Sequence, residues 1–393
     1  MSQSITPELI KEALIKQEFK LYYQPKVSMV TGKLCGAEAL IRWETADDKV
    51  IPPDQFIPIA EQSELICDIT QYVFRQLIID FSLIGAINDE IKVSFNASGK
   101  DFHNDKLTKL IINAVNSKLI EVHNFEIEVT ETVLVDEEHA KECLNLLADI
   151  GIAIAMDDFG TGHSGLVELT KWPFSILKID RSFVGSINKS NKERQILQAA
   201  IRMAHQLNMD VVAEGVEDEA TYRVLQEYGC KTAQGFWISK PLPLTKFVYF
   251  IRDYNDLSAM PIGLIYMAQL DHIQWKKNII DTALFLHNSN EQRKLENVRG
   301  CPQLDHTQCK LGQWYYNEGC SFTHIPVYAE LEQEHRELHQ IGSHLLAIAQ
   351  AKCSMENLSQ IIQQLTEKSM NVLYNLQLLE NYLHMDQYHS DKK

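Results

Sequence analysis

From residue 91 to residue 237 short apolar runs alternate with stretches of helical period, and that alternation leaves few folds open. Runs of four to eight residues rich in Val, Ile and Phe read as strands, and apolar residues three and four apart read as helix. Strands are expected at 91–96, 125–131, 151–155, 176–180, 210–214 and 232–237, with helices at 105–116, 137–149, 192–207 and 219–228. Upstream, 19–24 and 34–43 read as two more strands, and residues 29–33 between them are too few for a crossover helix. That first pair is therefore expected to be an antiparallel hairpin. Two helical stretches, 54–63 and 64–84, follow Pro52 and Pro53. Eight strands with intervening helices make an α/β chain, a modified (β/α)8 TIM barrel opened by an antiparallel hairpin.

Polar residues fall where these strands end: Gln24, Glu38, Asn96, Glu128, Asp157 with Asp158, Lys178, Glu214 with Glu217, and Gln234. In a barrel those ends converge on one rim, where active sites of this architecture are built. Met156-Asp157-Asp158-Phe159-Gly160-Thr161-Gly162 is the sharpest stretch, because adjacent carboxylates repel unless a cation lies between them, and its glycines allow a sharp turn. Alone it would also suit a solvated turn. Six carboxylates around one lysine are harder to explain as helix caps. Oxygen donors of this kind suit hard divalent ions, Mg²⁺ or Mn²⁺, and their number favours a pair. Two ions can activate water and stabilise both oxygens exchanged in phosphodiester hydrolysis, with Lys178 holding the water or a phosphate oxygen.

Glu38-Ala39-Leu40 with Arg42, Asn96, Glu128 to Glu131, Asp157 to Gly160, Leu177 to Asp180, Glu214-Gly215-Val216-Glu217 and Gln234-Gly235-Phe236 together resemble the ordered signature of the EAL-domain phosphodiesterases. The likeness covers residues 5–254 and implies hydrolysis of cyclic di-GMP to linear pGpG. It implies that Glu38, Asn96, Glu128, Asp157, Asp158, Glu214 and Glu217 hold the two metal ions and their water. Lys178 would assist the chemistry, Glu214 would accept a proton, and Glu131 would brace the Asp157–Asp158 loop. Gln24, Leu40, Arg42, Gln234 and Pro241 would contact the nucleotide, with Arg42 a phosphate fork. Two positions depart from the family pattern, His163 where an aromatic ring is usual and Gly165 where a serine is usual. Neither removes a ligand.

Beyond a join near 254–261 the strand signal vanishes, and residues 262–287, 308–316, 325–351 and 355–384 read as an all-α helical bundle. Barrel and bundle are expected as domains 1–254 and 262–393. His335 and His339 are four apart and project from one helix face, a metal-ligand spacing that also occurs without metal. With His272 and Cys309 they would complete a tetrahedral zinc site of three imidazoles and one thiolate. The order His272-x-x-Trp275-Lys276, Cys309-x-Leu311-Gly312-x-Trp314-Tyr315, His335-x-x-x-His339 resembles the chemoreceptor zinc-binding (CZB) domain, which implies a zinc-sensing, often dimeric bundle. The stretch between His272 and Cys309 is wide for that family, which leaves Cys301 and His306 as bystanders or substitutes, while His287, His324 and His344 are expected to be solvated or packed. The last helix carries Leu373, Tyr374, Leu376, Leu379, Tyr382 and Leu383, which could pair in a homodimer or cover the bundle core. Cys309 could also respond to oxidants.

A formal charge of −16 argues against a nucleic-acid polymer or an anionic membrane as partner. No run of about 18 apolar residues would insert in a membrane, no secretory signal is evident, and eight scattered cysteines suit reduced thiols, all of which points to the cytoplasm. The expected function is a cyclic di-GMP phosphodiesterase regulated by zinc or thiol oxidation. The alternative is a catalytically weak receptor that signals by binding.

Overall fold

A computed structural model describes residues 5–47, 49–130, 138–160, 169–187, 190–257, 261–288, 302–316 and 318–390. Glu131, His163, Gly165 and Cys301 lie outside the described residues, as does the side chain of Leu383. The chain divides into two compact units, Met1–Leu225 with Cys230–Ala259, and Met260–Lys393 with the short stretch Gln226–Gly229.

In the first unit eight strands close a ring: β1 (Phe19–Ser28), β2 (Leu34–Glu44), β3 (Lys92–Ala97), β4 (Phe125–Thr130), β5 (Ala153–Phe159), β6 (Ile176–Ile179), β7 (Asp210–Ala213) and β8 (Thr232–Gln234). β1 runs antiparallel to both neighbours, β2 and β8, and every other barrel pairing is parallel. The hairpin expected at the opening is thus the element that closes the barrel. Two-residue strands Val50–Ile51 and Leu242–Pro243 extend the sheet from β2 and β1.

The helices of this unit are α1 (Pro7–Ile15), α2 (Pro53–Gln62), α3 (Ile66–Gly85), α4 (Lys106–Asn116), α5 (Glu138–Asp149), α6 (Arg181–Val184), α7 (Asn191–Gln206), α8 (Glu219–Glu227) and α9 (Leu244–Asp253). The period-2 pattern of β4 shows why strand and helix layers meet as they do. Phe125, Ile127 and Val129 take the helix-facing positions, with Phe125 5.0 Å from Phe81 and 6.4 Å from Phe74 of α3. Glu126, Glu128 and Thr130 take the alternate positions facing the barrel interior. Apolar filling comes from Ala155, Ile176 and Val212, a buried cluster in which Ala155 pairs with Glu128 and Val212 with Lys178.

β5 runs to Phe159, four residues past its apolar run, and carries both aspartates within it. Its pairing with β6 shifts register between Met156 and Phe159, so a bulge re-aims the acids at that point. Asp158 sits at φ +56°, a conformation uncommon for a residue with a side chain. Gly160 follows at φ +104°, where an added Cβ would come within 2.9 Å of the Phe183 ring.

The second unit is α10 (Pro261–Asn288), α11 (Lys310–Tyr316), α12 (Pro326–Gln350) and α13 (Met355–Ser390), with a 3-10 turn at Glu318–Phe322. α10, α12 and α13 pack around Ile279, Leu338, Leu345, Leu365, Val372, Leu376 and Leu379, all fully buried. Leu376 and Leu379 therefore cover the bundle core, whereas Tyr374 and Tyr382 of the same helix are 62% and 48% exposed. The Lys352 ammonium donates to the carbonyls of Leu286 and His287, capping α10 where its dipole is negative. Among the described residues no helix is long and apolar enough to cross a membrane.

Candidate functional site

On the barrel rim, β-register sets Gln24 opposite Glu38, and Asn96 opposite Glu128. Glu38 is gripped by two amides, accepting from Asn96 Nδ2 at 2.7 Å and from Gln234 Nε2 at 2.6 Å. Gln234 Nε2 also donates to Gln24 Oε1 at 3.1 Å, so one amide joins both members of the Gln24–Glu38 pair. Lys178 occupies the centre. Its ammonium lies 2.5 Å from Glu128, 2.6 Å from Glu214, 3.0 Å from Asp157 and 3.7 Å from Glu38. Carboxylate oxygens of Asp157, Asp158 and Glu214 lie within 4.8 Å of one another. Glu217 and Asn96 are exposed on the same rim, and Leu40, Arg42 and Pro241 are half-buried. The Arg42 guanidinium stands over the Tyr22 ring at 5.8 Å.

The sequence showed one lysine among these acids. The barrel contains two. Lys26, 4% exposed, donates to Glu128 Oε1 at 2.9 Å and to Ser94 Oγ at 2.7 Å, and lies 3.4 Å from Glu126. Fully buried Glu128 is thus held between two ammonium groups, and neither Lys26 nor Ser94 was a candidate from sequence. Lys26 stands two residues beyond Gln24 on one strand, so alternation alone could have pointed to it.

Burial alone would push Lys178 down, but Glu128, Glu214, Glu38 and Asp157 together hold its ammonium charged well above its ordinary range. Burial would likewise raise Glu128, yet Lys178 and Lys26 overcome it and keep that carboxylate ionised. The other acids go the opposite way. Burial, only partly offset by Lys178, raises Glu38, Asp157 and Asp158 and pushes Glu214 up to about 8. Among the described residues six carboxylates, Glu38, Glu126, Glu128, Asp157, Asp158 and Glu214, surround two ammonium groups and leave uncompensated anionic charge on an oxygen-lined rim, which fits hard divalent cations in the donor set.

In the bundle, Cys309, His335 and His339 bring one donor atom each within 4.8 Å of the others. Cys309 Sγ lies 3.2 Å from His335 Nε2 and accepts from the Gly312 amide at 3.2 Å. An added Cβ at Gly312 would meet the His306 carbonyl oxygen at 1.8 Å, which explains the glycine. His339 Nδ1 lies 2.9 Å from the Leu304 carbonyl, while its buried Nε2 has no hydrogen-bond partner. That is the arrangement of an imidazole oriented through one nitrogen to present the other to a metal. Trp275 stacks on the same ring at 4.0 Å.

Burial depresses the histidines, His272 to about 3, His335 to about 2 and His339 to about 4, so all three are neutral and ready to ligate. Burial pushes the Cys309 thiol up to about 11. Neutral imidazoles and a thiol suit zinc. The structure brings three of the four expected ligands together; His272 is buried in the same unit with Nε2 2.8 Å from Ser369 Oγ, outside the three-residue cluster. The His306 ring centre lies 6.2 and 6.4 Å from those of His335 and His339, beside the cluster. His324 and His344 are exposed, and half-buried His287 contacts the Cys353 carbonyl.

The EAL domain family model matches residues 8–241, and the model of the chemoreceptor zinc-binding domain matches residues 272–346. Among curated relatives, the signaling protein YkoW of Bacillus subtilis is 39% identical over 244 residues, 62% of this chain and 30% of its own. The cyclic di-GMP phosphodiesterase NbdA of Pseudomonas aeruginosa is 34% identical over 263 residues, 66% of this chain and 34% of its own. The chain spans about a third of the length of the relatives it matches first. Among solved structures, the EAL enzyme Bd1971 in a cAMP-bound form superposes with a TM-score of 0.60 at 33% identity, over 62% of this chain and 69% of that one. The PaMucR phosphodiesterase in complex with c-di-GMP gives 0.57 at 34% identity, over 61% and 98%. Barrel, rim and matched family coincide, and the chain belongs to the EAL domain family, with a chemoreceptor zinc-binding domain after the barrel.

Proposed function

We propose that this chain is a cyclic di-GMP phosphodiesterase, that the barrel of residues 1–254 hydrolyses its substrate to pGpG with two Mg²⁺ or Mn²⁺ ions, and that the bundle of residues 262–393 adjusts the rate through zinc. The observation that carries the reading is the rim itself, where Asp157, Asp158 and Glu214 converge beside Lys178 while Glu38 is held by Asn96 and Gln234. When bound, the ions would supply an activated water and neutralise charge on both oxygens exchanged at phosphorus. Glu38, Asn96, Glu128, Asp157, Asp158, Glu214 and Glu217 would hold them.

The rest falls to the chain's own side chains. Lys178 is pre-positioned with its charge fixed by buried carboxylates, so it stabilises anionic charge on the phosphate without rearranging. Glu214, with Oε1 2.6 Å from Lys178 and its carboxylate beside Asp157 and Asp158, would receive a proton during attack. Arg42 would fork the second phosphate, and Gln24, Leu40, Gln234 and Pro241 would frame the bases. Glu131 would brace the acidic loop. In the bundle, Cys309, His335 and His339, with His272 after release from Ser369, would hold zinc, and a thiolate there would also be open to oxidation. A cytoplasmic homodimer is part of this reading.

Turnover of cyclic di-GMP with Mg²⁺ or Mn²⁺ tests it, with zinc added at limiting levels or chelated, in the wild type, Glu38→Ala and Cys309→Ala. Loss of turnover in Glu38→Ala, and zinc sensitivity lost in Cys309→Ala, are the expected results. Binding without turnover under every metal condition would leave a receptor and end the enzyme reading.

A further inference from the structure

A second cluster of soft and hard donors lies on the helix layer of the barrel unit. His139 and Cys143 are four apart on α5, and Asp105 stands at the N-cap of α4. His139 Nε2 is 3.1 Å from Asp105 Oδ1, Cys143 Sγ is 3.8 Å from His139 Nε2, and Cys143 Sγ is 3.9 Å from Asp105 Oδ1. Zinc bonds of about 2.3 Å to sulfur, about 2.05 Å to nitrogen and about 2.1 Å to oxygen, at tetrahedral angles, set these separations at about 3.4, 3.6 and 3.6 Å respectively. The observed triangle matches each within about 0.3 Å.

Three further features point the same way. An aspartate at an N-cap ordinarily accepts a hydrogen bond from its own helix, yet the Asp105 side chain makes no such bond. Its Oδ2 is held by Lys109 at 2.9 Å, which turns Oδ1 toward the imidazole and thiol. Thr108 Oγ1, in a residue 2% exposed on the first turn of α4, has no hydrogen-bond partner. Glu142 Oε2 lies 3.8 Å from His139 Nδ1, an anionic neighbour beyond hydrogen-bond distance on the ring's other nitrogen. Without an ion His139 pairs with Asp105 and the Cys143 thiol donates to Asp105 Oδ1 over a long 3.9 Å; a shared cation accounts for all three donors meeting at one point.

We propose that Asp105, His139 and Cys143 form a zinc site on the barrel unit, distinct from the rim and from the Cys309 cluster. With His139 and Asp105 44% and 45% exposed, the fourth position is open to water. A bound ion would clip the start of α4 to the first turns of α5. These helices follow β3 and β4, the strands that carry Asn96 and Glu128.

Co²⁺ titration of the full chain tests the site, because only a thiolate ligand gives a sulfur-to-cobalt charge-transfer band and carboxylate-bound cobalt on the rim stays silent in it. The Cys309→Ala variant should retain such a band, saturating at one equivalent and abolished by one equivalent of added Zn²⁺. Adding Cys143→Ser should remove it, and His139→Ala, which keeps the thiol, should weaken cobalt binding at least tenfold. Far-ultraviolet circular dichroism confirms that each variant keeps its helices, so a lost band reports a lost ligand. A Cys309→Ala protein with no such band, or a band that persists without Cys143, would overturn the assignment.

Discussion

Lys26→Met is the perturbation that most directly tests the buried charge network beneath the rim. Lys26 and Glu128 are 4% and 0% exposed, so solvent screens neither, and Met keeps most of the volume. Removing one partner of a buried ion pair typically costs about 3–5 kcal/mol, because the other charge stays buried without compensation. Here Lys178 remains on Glu128 Oε2, which reduces the loss, while Ser94 Oγ and Glu126 lose their ammonium neighbour, which adds to it. We expect about 3 kcal/mol of destabilisation in the barrel unit. Glu128→Gln in the same background removes the stranded charge and should recover about half of that loss, giving a coupling energy above about 1 kcal/mol. Urea denaturation read from barrel tryptophan fluorescence, in a four-protein double-mutant cycle, supplies the numbers. A single variant within about 0.5 kcal/mol of wild type, or losses that simply add, would refute the argument that Glu128 needs both lysines.

Gly312→Ala should abolish zinc retention by the bundle, since the Cβ would meet the His306 carbonyl at 1.8 Å and displace the amide that reaches Cys309; metal content at limiting zinc measures this. Phe95→Ala should cost about 3–5 kcal/mol, because the ring is fully buried and packs 5.5 Å from Phe74; denaturant midpoints at constant slope report it. Asp101 provides a pH test. Burial pushes its carboxyl up to about 6 from an ordinary 3.8, so between those values the folded chain holds a proton that the unfolded chain has lost. Stability should therefore fall as pH rises through that window, by about 3 kcal/mol, and the fall should be missing in Asp101→Asn. Equal pH slopes for the two proteins from pH 4 to pH 7 would contradict it.

The order of strands and helices was legible because the strands report themselves as short apolar runs between stretches of helical period, with polar residues falling along one rim. Phe125 to Thr130 also alternates, with Phe125 packed on α3 and the glutamates turned inward. What stayed hidden has specific causes. Pro25 usually ends or demotes a strand, and the strand expected over 19–24 stops short of it, whereas β1 continues to Ser28 with Pro25 opposite Ala37. Lys26 was lost with those residues. Because β1 runs against its neighbours, its inward residues beyond Gln24 descend into the barrel, where an ammonium must find carboxylates, and it found Glu128. The extension of β5 through Asp158 depends on a bulge and a positive φ, neither of which has a composition signal. Asp105 and Cys143 are separated by a helix and a strand, and only the packing of α4 on α5 reveals them as neighbours.

The donor chemistry of the two units bears on how zinc could regulate a magnesium-type enzyme without poisoning it. Zinc binds a given oxygen site more tightly than manganese does, so the rim carboxylates alone would not exclude it. Selectivity must come from competition, and the chain supplies the competitor. The Cys309 cluster offers a sulfur donor and neutral buried imidazoles, one with its lone pair already directed by the Leu304 carbonyl, whereas the rim offers oxygens whose charge Lys178 and Lys26 partly cancel. A pre-oriented nitrogen and sulfur set would therefore fill with zinc at concentrations that leave the rim to harder ions. In the proposed scheme the signal and the inhibition are separated by ligand softness, and the two ammonium groups under Glu128 are part of what keeps them apart.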